Sequence, residues 1–251
     1  SLFNFAIPDT VAPDISRLAV YDRSISTYEQ TPKLYALKKI NGIYVTTPSL
    51  IYANTDKVSF GISSSDRYTG SANRNGVYET VLYENDKPII GYQLDNIGYD
   101  ETRYLNAHID YKLRSSGGPF VQHVSRLPGY VNGIYKTIDG DGVISITDDS
   151  IHNIKIEVKD ANGNLSTVQF GIKQDTNFTE TNKIIPPALV QQNEFHPGFI
   201  NVYENSNISL YLPENSLYDS IRFSYKEIES DGGYSIHQVH NTGVPVHGYF
   251  P

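Results

Sequence analysis

The stretch Ile154–Lys173, IKIEVKDANGNLSTVQFGIK, reads as two β-strands around one tight turn. Ile154, Ile156 and Val158 alternate with Lys155, Glu157 and Lys159. After the turn, Leu165, Val168, Phe170 and Ile172 carry the apolar positions. Successive side chains on a strand point to opposite faces, so this alternation puts one face in a core and the other in water. Asp160-Ala161-Asn162-Gly163-Asn164 between the strands is turn chemistry, because Asn and Gly tolerate the positive φ that short hairpins need.

Working outward, the same signature recurs. Ile15–Tyr21 is a strand, Lys33–Thr46 a hairpin with Asn41-Gly42 at its turn, and Lys57–Ser63 a strand with Val58, Phe60 and Ile62 on one face. Asp66–Gly76 is a polar loop, and Val77–Glu84 pairs with Pro88–Asp95 around Asn85-Asp86-Lys87. Tyr99–Leu113 reads either as a strand or as a helical turn followed by a strand. Phe120–Val124 is short, and Ile134–Ile146 contains the turn Asp139-Gly140-Asp141-Gly142. Roughly a dozen short strands at this spacing, without a convincing amphipathic helix, predict an all-β immunoglobulin-like β-sandwich over residues 14–174. That span exceeds the ~100 residues of a minimal sandwich, so an insertion is expected, between Gln93 and Thr137.

Residues 1–13 read as an arm: Leu2, Phe3, Phe5 and Ile7 are apolar, then Pro8 and Pro13 break the pattern, and docking is expected. Residues 175–197 are polar and proline-containing without periodicity, which reads as a linker. Residues 198–251 alternate again and are expected to form a second, smaller β-sandwich unit; so short a segment makes a thin core, so either the unit packs on the first or it is incomplete.

The totals exclude several classes. Among 251 residues the formal net charge is −8, which argues against nucleic acid as a partner, because phosphate binding needs clustered Lys and Arg. Cysteine is absent, which removes disulfides, thiol catalysis and thiolate metal sites. No apolar run approaches the ~20 residues of a membrane-spanning helix. Methionine is absent, position 1 included, so the chain is expected to be a processed or excised piece.

Seven histidines, His108, His123, His152, His196, His237, His240 and His247, raise a zinc hypothesis. The spacings that gather imidazoles and a carboxylate are missing: no H-x-x-x-D, no H-x-H and no H-E-x-x-H occurs. His108-Ile109-Asp110 would put two ligands on one strand face but needs a third. The plain reading is surface and core histidines. Asp139-Gly140-Asp141-Gly142 hints at calcium, but Val143 stands where the next ligand would fall, and a turn is favoured. Asp66 and Asp160 are candidates for a structural cation site, with calcium as the cation, at the loop end of the sandwich; otherwise they are turn-capping carboxylates. No G-x-S-x-G elbow and no Gly-Lys phosphate loop is present. Asp100, Glu101, Asp110 and His108 lie close in sequence and would suggest the paired carboxylates of glycoside hydrolysis, but the favoured reading is that Arg103 and Lys112 pair with those carboxylates. Tyr99, Tyr104 and Tyr111 would stack on sugars or, more often in strands, pack half-buried.

Five phrases together resemble one family: SLFNFAIPDTVAPDISRLAVYDR (Ser1–Arg23), YEQTPKLYALKK (Tyr28–Lys39), LDNIGYDETRYLNAHIDYK (Leu94–Lys112), QHVSRLPG (Gln122–Gly129) and VKDANGN (Val158–Asn164). They are similar to the region that follows the catalytic domain in Bacteroidota members of the lysostaphin/LytM-like zinc metallopeptidases, which cut peptide cross-links in peptidoglycan. The family's H-x-x-x-D and H-x-H ligands do not occur here, so no catalytic residue carries over, and zinc would belong only to a catalytic domain outside this chain. The resemblance implies a non-catalytic accessory region in the periplasm, outer membrane or cell surface of a Gram-negative bacterium. Its partners would be a parent peptidase domain, an envelope protein or peptidoglycan. It also implies glycosylation at Asp-Ser/Thr-aliphatic sites, with Thr10, Ser150 and Ser220 as acceptors in Asp9-Thr10-Val11, Asp149-Ser150-Ile151 and Asp219-Ser220-Ile221. The alternatives are a stand-alone binding or assembly module of a larger outer-membrane or periplasmic complex, such as secretion or gliding machinery, and a carbohydrate-binding sandwich.

Overall fold

The opening hairpin is formed as its alternation requires. In the computed structural model, which describes residues 8–175, 193–229 and 233–248, β10 (His152–Lys159) and β11 (Leu165–Gln174) pair antiparallel from His152↔Ile172 to Lys159↔Leu165. Ile154, Ile156, Val158, Val168, Phe170 and Ile172 are buried, and each such side chain contributes about 1.5–3 kcal/mol of transfer free energy. The second strand's phase differs from expectation at its start. Leu165 is 46% exposed, and Ser166 takes the inward position opposite Val158, its hydroxyl donating to Pro13 O at 2.6 Å. Period-2 geometry forces this, because Val168 and Leu165 cannot share a face.

The preceding strands are β1 (Asp14–Asp22), β2 (Lys33–Ile40), β3 (Ile43–Ala53), β4 (Lys57–Ser65), β5 (Glu79–Glu84) and β6 (Lys87–Gln93). The short β7 (Gln122–His123), β8 (Tyr135–Thr137) and β9 (Ile144–Ser145) follow. Eleven strands form one continuous sheet in the order β7-β4-β1-β2-β3-β11-β10-β5-β6-β8, with β9 on β4. It is all-β and sandwich-like because the sheet curls over itself at β2. The first half of β2 pairs with β1 (Val20↔Lys33 to Arg17↔Ala36) and the second half with β3 (Leu37↔Thr46 to Ile40↔Ile43). Asn41 (φ 49°) and Gly42 (φ 86°) make the two-residue turn after β2, both at the positive φ this turn demands. The two halves meet in one core: Phe60 of β4 packs edge-on against Phe170 of β11 at 5.2 Å between centroids. The β3–β11 pair is parallel, and like the long-range antiparallel pairs β1–β4 and β5–β10 it is not encoded by local alternation.

The helical turns of this part, apart from a 3-10 turn at Thr27–Glu29, sit between Gln93 and Tyr135, where the insertion was expected. Tyr99–Leu113 forms no strand. It is a 3-10 turn over Tyr99–Tyr104, then α1 (Leu105–His108) and α2 (Tyr111–Ser115). Asp110 caps α2, one carboxylate oxygen accepting from Leu113 N at 2.8 Å and the other from the Tyr21 hydroxyl at 2.9 Å. His108 and Asp110 therefore do not share a strand face.

In the second unit, β12 (Asn193–Phe195) pairs with β15 (Ile221–Phe223), β13 (Asn201–Glu204) with β14 (Ser209–Leu212), and β16 (Tyr225–Glu229) with β17 (Ser235–Val239). β12 lies within the span read as a linker. Phe195 and Phe223 stack at 4.5 Å, and Leu210, Leu212, Leu217 and Tyr218 complete the apolar side. These residues join the main core, so of the two expectations for this unit the structure has the one in which it packs on the first. The apolar arm residues Leu2, Phe3, Phe5 and Ile7, and most of the 175–197 span, lie outside the described residues.

Candidate functional site

Two places gather buried polar groups. The first is the loop end of the sandwich. Asp66 directly follows β4, and Asp160 opens the β10–β11 turn. The fold brings them together, and Asp9 joins them from the segment before β1: one oxygen of each carboxylate lies within 4.8 Å of the other two. Asp66 and Asp160 are buried and Asp9 is half-buried. Burial pushes the Asp66 carboxyl above its ordinary value, and the charges of Asp160 and Asp9 act in the same direction. Asp160 is also the turn cap it was read as, accepting from Asn162 N (2.9 Å) and Asn164 N (2.8 Å). Sequence reasoning missed Asp9 in this role and used it only as part of the Thr10 acceptor site. The available signal was a carboxylate just ahead of a strand that runs beside β4.

The second place is the joint between the two units. Asp219, 4% exposed, accepts at Oδ2 from Arg23 Nη1 (3.1 Å), Thr27 N (3.0 Å) and Thr27 Oγ1 (3.0 Å). Gly129 N donates to Tyr218 O at 2.8 Å, and a Cβ on Gly129 would stand 2.0 Å from Leu217 O. The Tyr218 hydroxyl donates to Arg103 O and lies 2.8 Å from His247 Nδ1, while Arg103 Nη1 donates to His247 O. The inserted segment and the loop after β1 are thus the dock for the second unit. The apolar cavity of about 170 Å³ between Leu94, Ile97, Leu105, Tyr130 and Ile134 is smaller than the ~300 Å³ that small-molecule sites usually need.

The histidines are dispersed. His108 and His123 are core residues, each with its pKa pushed down to about 3 by burial. A hydrogen-bond chain sets the His108 tautomer. Tyr135 donates to His123 O (3.0 Å), so its oxygen accepts from His108 Nδ1 (3.0 Å), which leaves Nε2 to accept from Gln122 Nε2 (3.1 Å). His152 bridges Glu84 and Asp148 at the edge of the sandwich. Asp141 Oδ1 accepts from Val143 N in the turn that was favoured there. The ion pairs expected for Lys112 give way to backbone bonds, its ammonium donating to Tyr28 O and Gln30 O; Glu101 caps Gly98 N. Tyr99 is fully out in solvent, whereas Tyr104 packs between Tyr130 and His247. Of the acceptor residues, Thr10 and Ser150 are exposed and Ser220 is partly buried, its hydroxyl 2.9 Å from His196 Nδ1.

Comparison with known families matches a Zu5-like domain to residues 193–251. That match coincides with the second unit and starts at β12. No curated protein and no solved structure matches the chain.

Proposed function

We propose that this chain is a non-catalytic accessory region of a peptidoglycan-metallopeptidase-like protein of the cell envelope, and that it holds or orients a partner. The observation that carries the reading is the joint. Arg23, Thr27 and Gly129 of the sandwich clasp Tyr218 and Asp219 of the Zu5-like unit through buried contacts, which suits a stiff spacer. The buried histidines and tyrosines support it too, since His108, His123 and Tyr135 bond to one another's elements and to Gln122. The envelope setting, in the periplasm or at the outer membrane, rests on the resemblance of Ser1–Arg23 and the four other phrases. The test is incubation of the purified chain with peptidoglycan sacculi, with and without zinc, and analysis of released muropeptides. Release above a heat-inactivated control would refute the reading.

A second reading is a stand-alone binding module of an envelope assembly. The observation in its favour is apolar surface on the insertion: Ile97 and Leu105, 45% and 51% exposed, line the small cavity, and Tyr99 in the same segment is 94% exposed. Crosslinking in source cells separates the two. A peptidase-containing polypeptide joined to this chain supports the first reading, and an unrelated envelope protein the second.

A further inference from the structure

We propose that Asp9, Asp66 and Asp160 bind one divalent cation of the calcium type, which fastens the segment before β1 to the loop end of the sandwich. The three residues come from separate parts of the chain, and one oxygen of each lies within 4.8 Å of the others. That is the spacing of ligands around a common ion, since two oxygens each about 2.4 Å from calcium are at most about 4.8 Å apart.

The pattern of donors points the same way. Asp9 Oδ1 accepts from Val11 N (3.1 Å), Thr69 N (2.9 Å) and Thr69 Oγ1 (3.0 Å), yet its Oδ2 is buried without a partner. Asp66 is 5% exposed, and its Oδ1 is likewise buried without a partner. Asp160 is oriented by Asn162 N, Asn164 N and Asn164 Nδ2. Neutral donors therefore hold the carboxylates in place, and among the described residues none of the three forms an ion pair. Buried, unpaired acceptors in a group of three like charges are unfavourable unless something positive satisfies them. The missing component is a cation.

The chemistry selects its type. Every charged donor is a carboxylate oxygen, with no imidazole or thiolate, which suits a hard ion and not zinc or copper. A cavity of about 180 Å³ borders the three, with Asn75, Tyr68 and Tyr78 on its wall, and has room for water ligands. Ligands from three unrelated segments make an irregular shell, which calcium tolerates and magnesium resists. The consequence is mechanical. Asn164 Nδ2 donates to Asp9 O (3.1 Å), and Thr10 N to Thr69 Oγ1 (3.0 Å), so the ion completes a clasp already present in hydrogen bonds. The inference is independent of the peptidase reading.

The test uses the full chain, stripped with EDTA and dialysed. Terbium luminescence, sensitised by the nearby tyrosines, and calorimetry with calcium and with magnesium read binding directly. The expected result is one calcium per chain with a Kd at or below about 1 mM, the range of extracellular calcium modules, and a rise in Tm on adding calcium. Asp66→Asn should weaken calcium binding at least tenfold. Asp9→Asn, on the half-buried outer segment, should do the same in a chain whose circular dichroism is unchanged. Binding of less than half an equivalent at 5 mM calcium would overturn the proposal. So would equal affinity in the wild type and Asp9→Asn, or a preference for magnesium.

Discussion

Asp219→Asn probes the joint on which the functional reading rests. Arg23 and Asp219 have side chains 8% and 6% exposed, and the Asp219 Oδ2 atom serves three donors at once. Asparagine keeps the shape and an acceptor for Thr27 but removes the charge, leaving the Arg23 guanidinium buried against a neutral group. Breaking one side of a buried pair costs about 3–5 kcal/mol, most of it the desolvated charge left behind. With a urea slope of about 2 kcal/mol per molar, that loss lowers the unfolding midpoint by about 1.5–2.5 M. The assay is urea denaturation followed by far-ultraviolet circular dichroism. The double variant Arg23→Met with Asp219→Asn removes the stranded cation and should recover more than half of the loss. A single-variant cost below about 1 kcal/mol, or a double variant that simply sums the two singles, would refute the account of the joint as a buried charge clasp.

Gly129→Ala should destabilise the chain by about 1–3 kcal/mol, because its Cβ would meet Leu217 O at 2.0 Å and the backbone must move; a thermal melt unchanged within about 1 °C would contradict that contact. The acid limb of stability is assigned to His108 and His123. Both have folded-state pKa values near 3, below the ordinary 6.5, so between these limits the unfolded chain binds more protons. Their contribution is complete above pH 6.5 and is lost as pH falls towards 3, at up to about 1.4 kcal/mol per pH unit for each histidine. Denaturation midpoints from pH 7 to 4 should fall with that sign, and His123→Phe should flatten the slope.

Much of the architecture is readable from residues close in sequence. The strands β1 to β6, the Asn41-Gly42 turn and the β10–β11 hairpin follow from alternation and turn chemistry, both local properties. For Tyr99–Leu113, the helical turn that was one of its two readings is present, but the strand that both readings contained does not form. Tyr99–Leu113 carries β-compatible residues such as Tyr104, Ile109 and Tyr111, and packing against Tyr130, Tyr135 and Tyr21 decides that it coils into helical turns. Leu165 likewise looked inward by composition, while the register with β10 gave the inward place to Ser166.

The candidate cation site shows the same division. Asp66 and Asp160 were legible because each stands at the edge of a strand, where a polar loop meets the sandwich. Asp9 was not, because nothing in PDT signals which strand end it will face. The joint was wholly hidden. Arg23 and Asp219 are 196 residues apart, and no local pattern relates them. Sequence by itself determined the all-β class and most of the strand positions, because propensity, period and composition act over a few neighbours. Tertiary structure alone decided the curl of the sheet at β2, the parallel β3–β11 pairing, the burial of His108 and His123 and the meeting of three carboxylates. Each depends on contacts between distant segments, which form only when burial of the shared core outweighs the entropy of closing the chain between them.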